Sequence, residues 1–166
     1  MNRIVIYTSK TGFTEKYAKW IAEELACEAV EMKKADLSAL SRYDQVIYGG
    51  WIMGNMISGY DKIKALNLKD LMVFCSGMRI PTDEVKEEIA RQNGIPVSNL
   101  YCFEGGFALE RVGFMGKIIV KMMTGSLNKK EEKTPEDFHI LETVKGADHT
   151  DRTAIEPLIK KVMTRG

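Results

Sequence analysis

Five short apolar runs alternate with polar or amphipathic stretches along the chain, and this alternation limits the possible folds more than any other feature. The runs lie at 3–9, 28–32, 43–50, 71–77 and 99–106, and the last three end in glycine. Helical spacing of apolar and charged residues is found between them at 11–26, 81–94 and 153–163. Strands that alternate with helices predict an α/β fold, a doubly wound parallel sheet of five strands with helices on both faces.

The segment 107–150 does not follow the alternation, and we interpret it as an insertion in a single domain spanning 1–166. It contains an apolar helical stretch at 111–125, "RVGFMGKIIVKMMTG", and then a polar run at 126–137, "SLNKKEEKTPED". It is too short to have a core of its own. Its helical stretch either packs on the domain with a solvated basic edge or forms a docking surface. A redox partner protein, a small apolar substrate or an anionic membrane, contacted through 111–124, would fit such a surface.

Composition excludes several classes of protein. A net charge of +1 argues against nucleic-acid binding, and no apolar stretch approaches the roughly 20 residues that cross a bilayer. The start of the chain has only a short apolar run and is not typical of a signal peptide, so we expect a cytoplasmic protein. Cys27, Cys75 and Cys102 form no C-x-x-C motif and are predicted to be buried reduced thiols. His139 and His149 lack metal-ligand spacing, so no metal is predicted.

The first strand runs into the polar stretch "TSKTGFT" at 8–14. In open parallel sheets, ligands bind beyond the carboxyl ends of the strands, and a helix N-terminus there favours anions. The hydroxyls of Ser9, Thr11 and Thr14 add donors, while Gly12 allows close approach of the backbone. The stretch therefore predicts either a phosphate site or an ordinary helix cap. The Walker motif and the G-x-G-x-x-G fingerprint are both absent, which argues against ATP, GTP and dinucleotides.

Two further strand ends carry unusual residues. "YGGWIMGNM" at 48–56 combines glycines with Trp51, Ile52 and Met53, which suits either a flat apolar ligand or a loop packed on the core. "CSGMRIP" at 75–81 offers backbone groups and the cation of Arg79, which is either functional or simply solvated.

These three stretches resemble the ligand loops of flavodoxins. The pattern S/T-x-T-G-x-T is similar to the flavodoxin phosphate loop, which holds the phosphate of FMN, and the other two stretches resemble the loops around the flavin ring. The resemblance implies the strand order 2-1-3-4-5 and Met53 on the inner flavin face, with the Gly54–Asn55 peptide turning toward flavin N5 on reduction. It also implies one bound FMN, contacted by Ser9, Lys10, Thr11, Gly12, Phe13, Thr14, Gly50, Trp51, Ile52, Met53, Gly54, Asn55, Ser76, Gly77, Met78 and Arg79.

The chain also departs from simple flavodoxins. Phe13 stands where Asn is usual, Lys10 adds a charge, and no aromatic residue occupies 77–80, so Met78 covers the outer flavin face or the face is open. Lys117, Lys121 and Met122 in the insertion resemble the K-x-x-x-K-M stretch of menaquinone-dependent protoporphyrinogen dehydrogenases.

Three functions follow from these resemblances. The first is a flavodoxin-like redox protein that carries electrons between partner proteins. The alternatives are an FMN-dependent oxidoreductase of the protoporphyrinogen dehydrogenase or quinone reductase type and a flavodoxin-shaped binding module without cofactor. No acid lies at 49–60 or 76–81, and Arg79 lies in the second flavin loop. We therefore expect the fully reduced flavin to form more easily than in strongly acidic flavodoxins.

Overall fold

The computed structural model describes residues 1–165 and contains one sheet whose main strands are all parallel. The strands are β1 (Arg3–Thr8), β2 (Glu28–Glu31), β3 (Gln45–Met53), β4 (Met56–Ile57), β5 (Leu71–Gly77) and β6 (Leu100–Glu104). The sheet order is β2-β1-β3-β5-β6, and the short β4 pairs antiparallel with the end of β3. The predicted α/β class and the order 2-1-3-4-5 of the five main strands are confirmed.

In the described residues 1–165, six α-helices surround the sheet or extend from it. They are α1 (Phe13–Glu24), α2 (Tyr60–Lys64), α3 (Asp83–Asn93), α4 (Phe114–Asn128), α5 (Pro135–Thr143) and α6 (Glu156–Thr164). Short 3-10 turns lie at Met32–Lys34, Leu37–Arg42, Val97–Asn99, Leu109–Arg111 and Arg152–Ile155.

The side chains of the strands alternate between two cores, one on each face of the sheet. On β1, Ile4 and Ile6 enter one core and Val5 enters the other. The first core is completed by α2 and α3, and the second by α1 and α6. Because both faces are buried, the strands are almost continuously apolar, as parallel strands usually are. The carboxyl ends of the strands meet at one edge, where the ligand loops were predicted.

The predicted insertion contains two helices, α4 and α5. The sequence predicted the first of them at 111–125, and in the structure α4 begins and ends three residues later than predicted. The run at 126–137 was expected to be polar chain, whereas α5 begins within it. A capping box formed by Thr134 and Asp137 fixes that start. The interpretation of 107–150 as an insertion within one domain stays a prediction.

Short polar contacts tie this segment to the domain. Gly106 and Asp148 form an isolated antiparallel bridge, and the Phe107 amide donates to the Ala147 carbonyl over 3.0 Å. Lys16 on α1 pairs with the Asp148 carboxylate at 2.9 Å. Within residues 1–165, none of the helices combines the length and apolar content that crossing a membrane requires.

Candidate functional site

The N-terminus of α1 has backbone amides without a side-chain cap. Gly12 is the N-cap residue with φ +98°, and no side chain caps the helix, although the Gly12 amide itself donates to Ser9 Oγ at 3.1 Å. By contrast, α3 and α5 are capped by the hydroxyls of Thr82 and Thr134. The amides and the positive end of the helix dipole are therefore available to an anion. The structure favours the phosphate interpretation of this loop over an ordinary helix cap.

A buried hydroxyl pair joins this loop to the end of β5. The Thr14 and Ser76 hydroxyls lie 2.7 Å apart, and both residues are buried. The pair fixes the first turn of α1 against the end of β5. Two of the three predicted ligand loops are thus held together by a direct contact.

The second predicted loop is a β-hairpin. β3 continues through Trp51, Ile52 and Met53 and turns back into β4. Gly54 and Asn55 both have positive φ, +55° and +66°, as a two-residue type I′ turn requires. The third strand was predicted to end at Gly50, whereas β3 continues to Met53 and pairs with β4. Met53 lies on the hairpin with 58% of its surface exposed.

The third loop follows β5 and contains Arg79, whose charge is neutralised by two acids. The guanidinium lies 3.1 Å from the Glu88 carboxylate on α3 and 2.6 Å from that of Glu136 on α5, and it also donates to Asn55 Oδ1. The sequence suggested a free or solvated cation beside the ligand. The structure shows an ion-paired one, because its partners come from helices distant in sequence.

One cavity of about 240 Å³ lies at the carboxyl ends of β1, β3, β5 and β6, and we call it the edge cavity. Most of the predicted cofactor residues line it: Lys10, Thr11, Phe13, Thr14, Trp51, Ile52, Met53, Gly54, Ser76, Gly77 and Met78. The other predicted residues do not. Ser9 and Gly12 shape the loop behind it, Gly50 packs on Ile57, and Asn55 and Arg79 line a neighbouring cavity.

The edge cavity has a wall that the sequence analysis did not assign to the site. It is formed after β6 and by the inner side of α4, from Gly105, Gly106, Phe107, Val112, Gly116, Ile119, Val120 and Met123. Two signals could have indicated this wall. The fifth strand ends in paired glycines like the third, and Gly116, Val120 and Met123 recur at helical spacing.

Two basic side chains lie at the polar end of the site. Arg111 contacts the loop at 8–14 before α1, and its Nη1 donates to the Thr11 carbonyl at 2.9 Å. A Cβ on Gly12 would lie only 2.8 Å from the same nitrogen. Lys10 extends its ammonium over the Trp51 ring, 5.4 Å from the centroid. Arg111 was not predicted as a site residue, since it lies a hundred positions from the loop that it contacts.

His139 and His149, treated as isolated in sequence, lie together beside the end of β6. Their ring centroids are 4.8 Å apart, and His139 Nε2 is 3.7 Å from the Glu104 carboxylate. The contact links α5 to the sheet. No group of three or more metal-ligating side chains suited to a metal ion is found in residues 1–165.

Comparison with known proteins decides the family. The sequence model of the flavodoxin domain matches residues 4–134, most of the chain. The chain belongs to the flavodoxin domain family. A comparison with curated protein sequences finds no match. The family generally binds FMN.

Solved structures similar to this flavodoxin domain include two flavodoxins and one WrbA-like protein. Oxidised flavodoxin 1 from Bacillus cereus is 22% identical, with 63% of this chain and 84% of that chain covered and a TM-score of 0.45. A flavodoxin from the domain Archaea is 15% identical over 87% of this chain and 97% of that chain, with a TM-score of 0.47. The flavodoxin, WrbA-like protein from Agrobacterium tumefaciens is 16% identical over 87% and 93%, also with a TM-score of 0.47.

The residues at the edge cavity fit FMN. An uncapped helix start suits the phosphate, and the apolar slot between the hairpin and the end of β5 suits the flat ring. Gly77 and Gly105 both line the cavity, and their backbones approach closely, since a Cβ on Gly105 would lie 3.2 Å from the Gly77 carbonyl oxygen. Larger side chains there would narrow the floor of the cavity.

Proposed function

We propose that this flavodoxin domain binds one FMN non-covalently in the edge cavity and carries electrons between partner proteins. One observation supports the proposal above all: the uncapped start of α1 adjoins an apolar slot lined by Trp51 and Met78. FMN needs an anion site and an apolar slot side by side. Bound FMN would supply the capacity to accept and release electrons. The cytoplasm stays a prediction for where the protein works.

The chain's own residues would bind and orient this cofactor. The proposed phosphate ligands are the hydroxyls of Ser9, Thr11 and Thr14 and the amides of Gly12 and Phe13. The Gly12 amide would exchange its bond to Ser9 Oγ for one to the phosphate, and the Thr14 hydroxyl would donate to the phosphate while accepting from Ser76. The Arg111 guanidinium adds positive charge at this loop. The inner side of α4 covers part of the cavity and would exclude water from the ring.

A titration of cofactor-free protein with FMN and with riboflavin tests the proposal. Riboflavin has the same ring without the phosphate, so we expect FMN to bind at least tenfold more tightly. Equal affinities would contradict a phosphate site at α1. Absence of binding by either compound would favour the alternative of a flavodoxin-shaped module without cofactor. The absorbance of the purified protein at the flavin bands gives an independent readout.

A second candidate function is an FMN-dependent oxidoreductase acting on an apolar quinone- or porphyrinogen-like substrate. The observation that favours it is the apolar wall from α4, because Gly116, Ile119, Val120 and Met123 add a lipophilic side to the cavity. A protein that only passes electrons through an exposed ring edge has no need of such a wall. The substrate would lie between this wall and the cofactor.

Two glycines of α4 separate these functions. Gly116 lines the edge cavity, and a Cβ there would lie 3.0 Å from Val112 Cβ, whereas a Cβ on Gly125 would meet nothing within 4 Å. At equal flavin content, we expect Gly116→Leu to slow reoxidation of the reduced protein by a soluble quinone and Gly125→Leu to leave it unchanged. Equal rates for both variants would leave electron carriage as the function.

The outer side of α4 supports a peripheral contact with an anionic membrane through 111–124. None of its residues is buried, and Phe114, Met115 and Met122 are 78%, 66% and 70% exposed. Lys117 and Lys121 are also exposed, and the helix contains no acid. Exposed apolar residues beside lysines are typical of helices that lie in the interface of an anionic bilayer.

Co-sedimentation with vesicles of phosphatidylglycerol and phosphatidylcholine tests this contact. We expect binding that weakens with salt and with Met122→Ser, because each apolar side chain transferred out of water contributes about 1.5–3 kcal/mol when fully buried. Met163→Ser is the matched control, since Met163 is 56% exposed on α6, which does not line the edge cavity. No sedimentation at low salt would exclude the membrane and leave a partner protein as the occupant.

A further inference from the structure

We propose that Cys75 and Cys102 form a redox-active dithiol that closes reversibly to a disulfide when a hydroperoxide oxidises it. The two cysteines are direct partners in the register of β5 and β6, so their side chains leave the sheet on the same face. Their sulfur atoms lie 3.4 Å apart as free thiols. The pair lies outside the phosphate loop and the α4 wall and does not depend on bound FMN.

The strand geometry permits the bond. Neighbouring strands are about 4.8 Å apart, and disulfides join Cα atoms about 4.4–6.8 Å apart. A disulfide bond is about 2.05 Å long, so the sulfurs must approach by roughly 1.4 Å from their present separation. Cys102 belongs to β6, the last strand in the sheet order, which has a neighbour on one side only. An edge strand can make this adjustment at lower cost than a central strand.

A small oxidant can reach the pair. Both cysteines line a second cavity of about 200 Å³, which also contains Arg79 and shares Gly77 and Met78 with the edge cavity. Cys75 is almost fully buried, while Cys102 is only partly buried. Cys102 is therefore the sulfur that meets the oxidant first, and Cys75 lies behind it as the resolving thiol.

The contact between the sulfurs prepares Cys102 for attack. The Cys75 thiol donates to the Cys102 sulfur, which lowers the pKa of Cys102 despite its burial. The same hydrogen bond together with burial raises the pKa of Cys75, so that thiol keeps its proton. Thiolates, and not thiols, react with peroxides.

The reaction balances in two steps. The Cys102 thiolate attacks one peroxide oxygen, the O–O bond breaks, and the other oxygen leaves as an alcohol or as water after taking a proton. Cys75 sulfur then attacks the resulting sulfenic acid, the S–O bond breaks, and water leaves with the thiol proton. Together the two thiols lose two protons and two electrons, and the hydroperoxide is reduced. A thiol reductant reverses the bond by exchange.

The test treats the purified protein with hydrogen peroxide, blocks remaining thiols by alkylation, and determines thiol count and peptide masses. The wild-type protein contains three cysteines, and we expect two of them to be lost to one bond and recovered with dithiothreitol. Cys27→Ser is the matched control, because it removes the half-buried third thiol and should not change the loss of two. Cys75→Ser and Cys102→Ser should form no intramolecular bond.

Peptide mapping of the wild-type protein keeps the proposal testable even where a cysteine variant fails to fold. A linked peptide joining Cys75 to Cys102 supports the dithiol. Three thiols remaining after treatment, a bond that includes Cys27, or irreversible oxidation of Cys102 without a bond would each overturn it.

Discussion

The phosphate loop can be tested by one substitution at Gly12 with a matched control at Gly146. Both glycines have positive φ, +98° and +112°, so aspartate strains the backbone similarly at each, by roughly 1–2 kcal/mol. A Cβ on Gly146 would meet nothing within 4 Å, whereas a Cβ on Gly12 would lie 2.8 Å from Arg111 Nη1. The comparison of Gly12→Asp with Gly146→Asp therefore isolates the effect at the loop.

The size of the effect follows from the Arg111 contact. A carboxylate at position 12 would pair with this guanidinium and remove its charge from the loop, while adding a negative charge beside the phosphate. A hydrogen bond to a charged group contributes about 1.5–3 kcal/mol, which corresponds to about 10- to 150-fold in a dissociation constant. Repulsion between the carboxylate and the phosphate increases the loss further.

The assay is a titration of cofactor-free protein with FMN, followed by quenching of flavin fluorescence. We expect Gly12→Asp to bind FMN at least tenfold more weakly than Gly146→Asp, although thermal unfolding should show similar losses of stability. Wild-type affinity in the Gly12→Asp protein would refute the location of the phosphate site. Equal weakening in both variants would show that backbone strain, and not the loop, determines affinity.

Three further predictions concern the flavin potential and the insertion. With Lys10 and Arg111 near the site, the second electron should be accepted above about −400 mV, the potential of plant-type ferredoxins, in a potentiometric titration. Thr134→Ala removes the N-cap of α5 and should destabilise that helix by about 1 kcal/mol in hydrogen exchange. Lys130 and the Thr134 amide lower the pKa of Asp137. The stability that the Asp137 carboxylate gives α5 is therefore complete above the usual pKa of 3.8 and is lost as the pH falls through the lowered pKa. Hydrogen exchange in α5 at acid pH should show this loss.

The fold could be predicted from the sequence because the buried strands are apolar and are separated by polar or amphipathic segments. Each predicted strand corresponds to one observed strand, although only the paired Gly105–Gly106 follow the end of their strand, whereas Gly49 and Gly50 lie inside β3. The hairpin after β3 was taken as a loop, since Gly54 and Asn55 were interpreted, from the resemblance, only as the peptide that turns toward flavin N5. Two positive-φ residues between apolar segments are also the signature of a type I′ turn. α5 was missed because its polar first turn, capped by Thr134 and Asp137, was interpreted as part of the polar run at 126–137.

The site was predictable as far as it depends on local sequence. Helix starts and strand ends carry their own signals, so the three loops were identified and the structure brings most of their residues to one cavity. Contacts across the fold carry no local signal. Arg111 meets Thr11, and Arg79 meets Glu88 and Glu136, only because the tertiary structure brings them together. Because Arg79 is ion-paired, it no longer supports the expectation that the fully reduced flavin forms easily. That expectation now depends on the other charges near the site.

We expect the two sides of α4 to be linked energetically. The helix has 15 residues, none of them buried, and a helix of this length is marginally stable alone in water. We therefore expect its order to depend on what covers it, namely the proposed ligand against Gly116 and Val120 on the inner side and the proposed membrane surface against Phe114 and Met122 on the outer side. Each occupant that orders α4 reduces the entropy cost for the other, so their affinities must rise together. We expect anionic vesicles to tighten FMN binding and FMN to tighten vesicle binding by the same factor. An FMN affinity that is identical with and without vesicles that bind the protein would show that the two sides are independent.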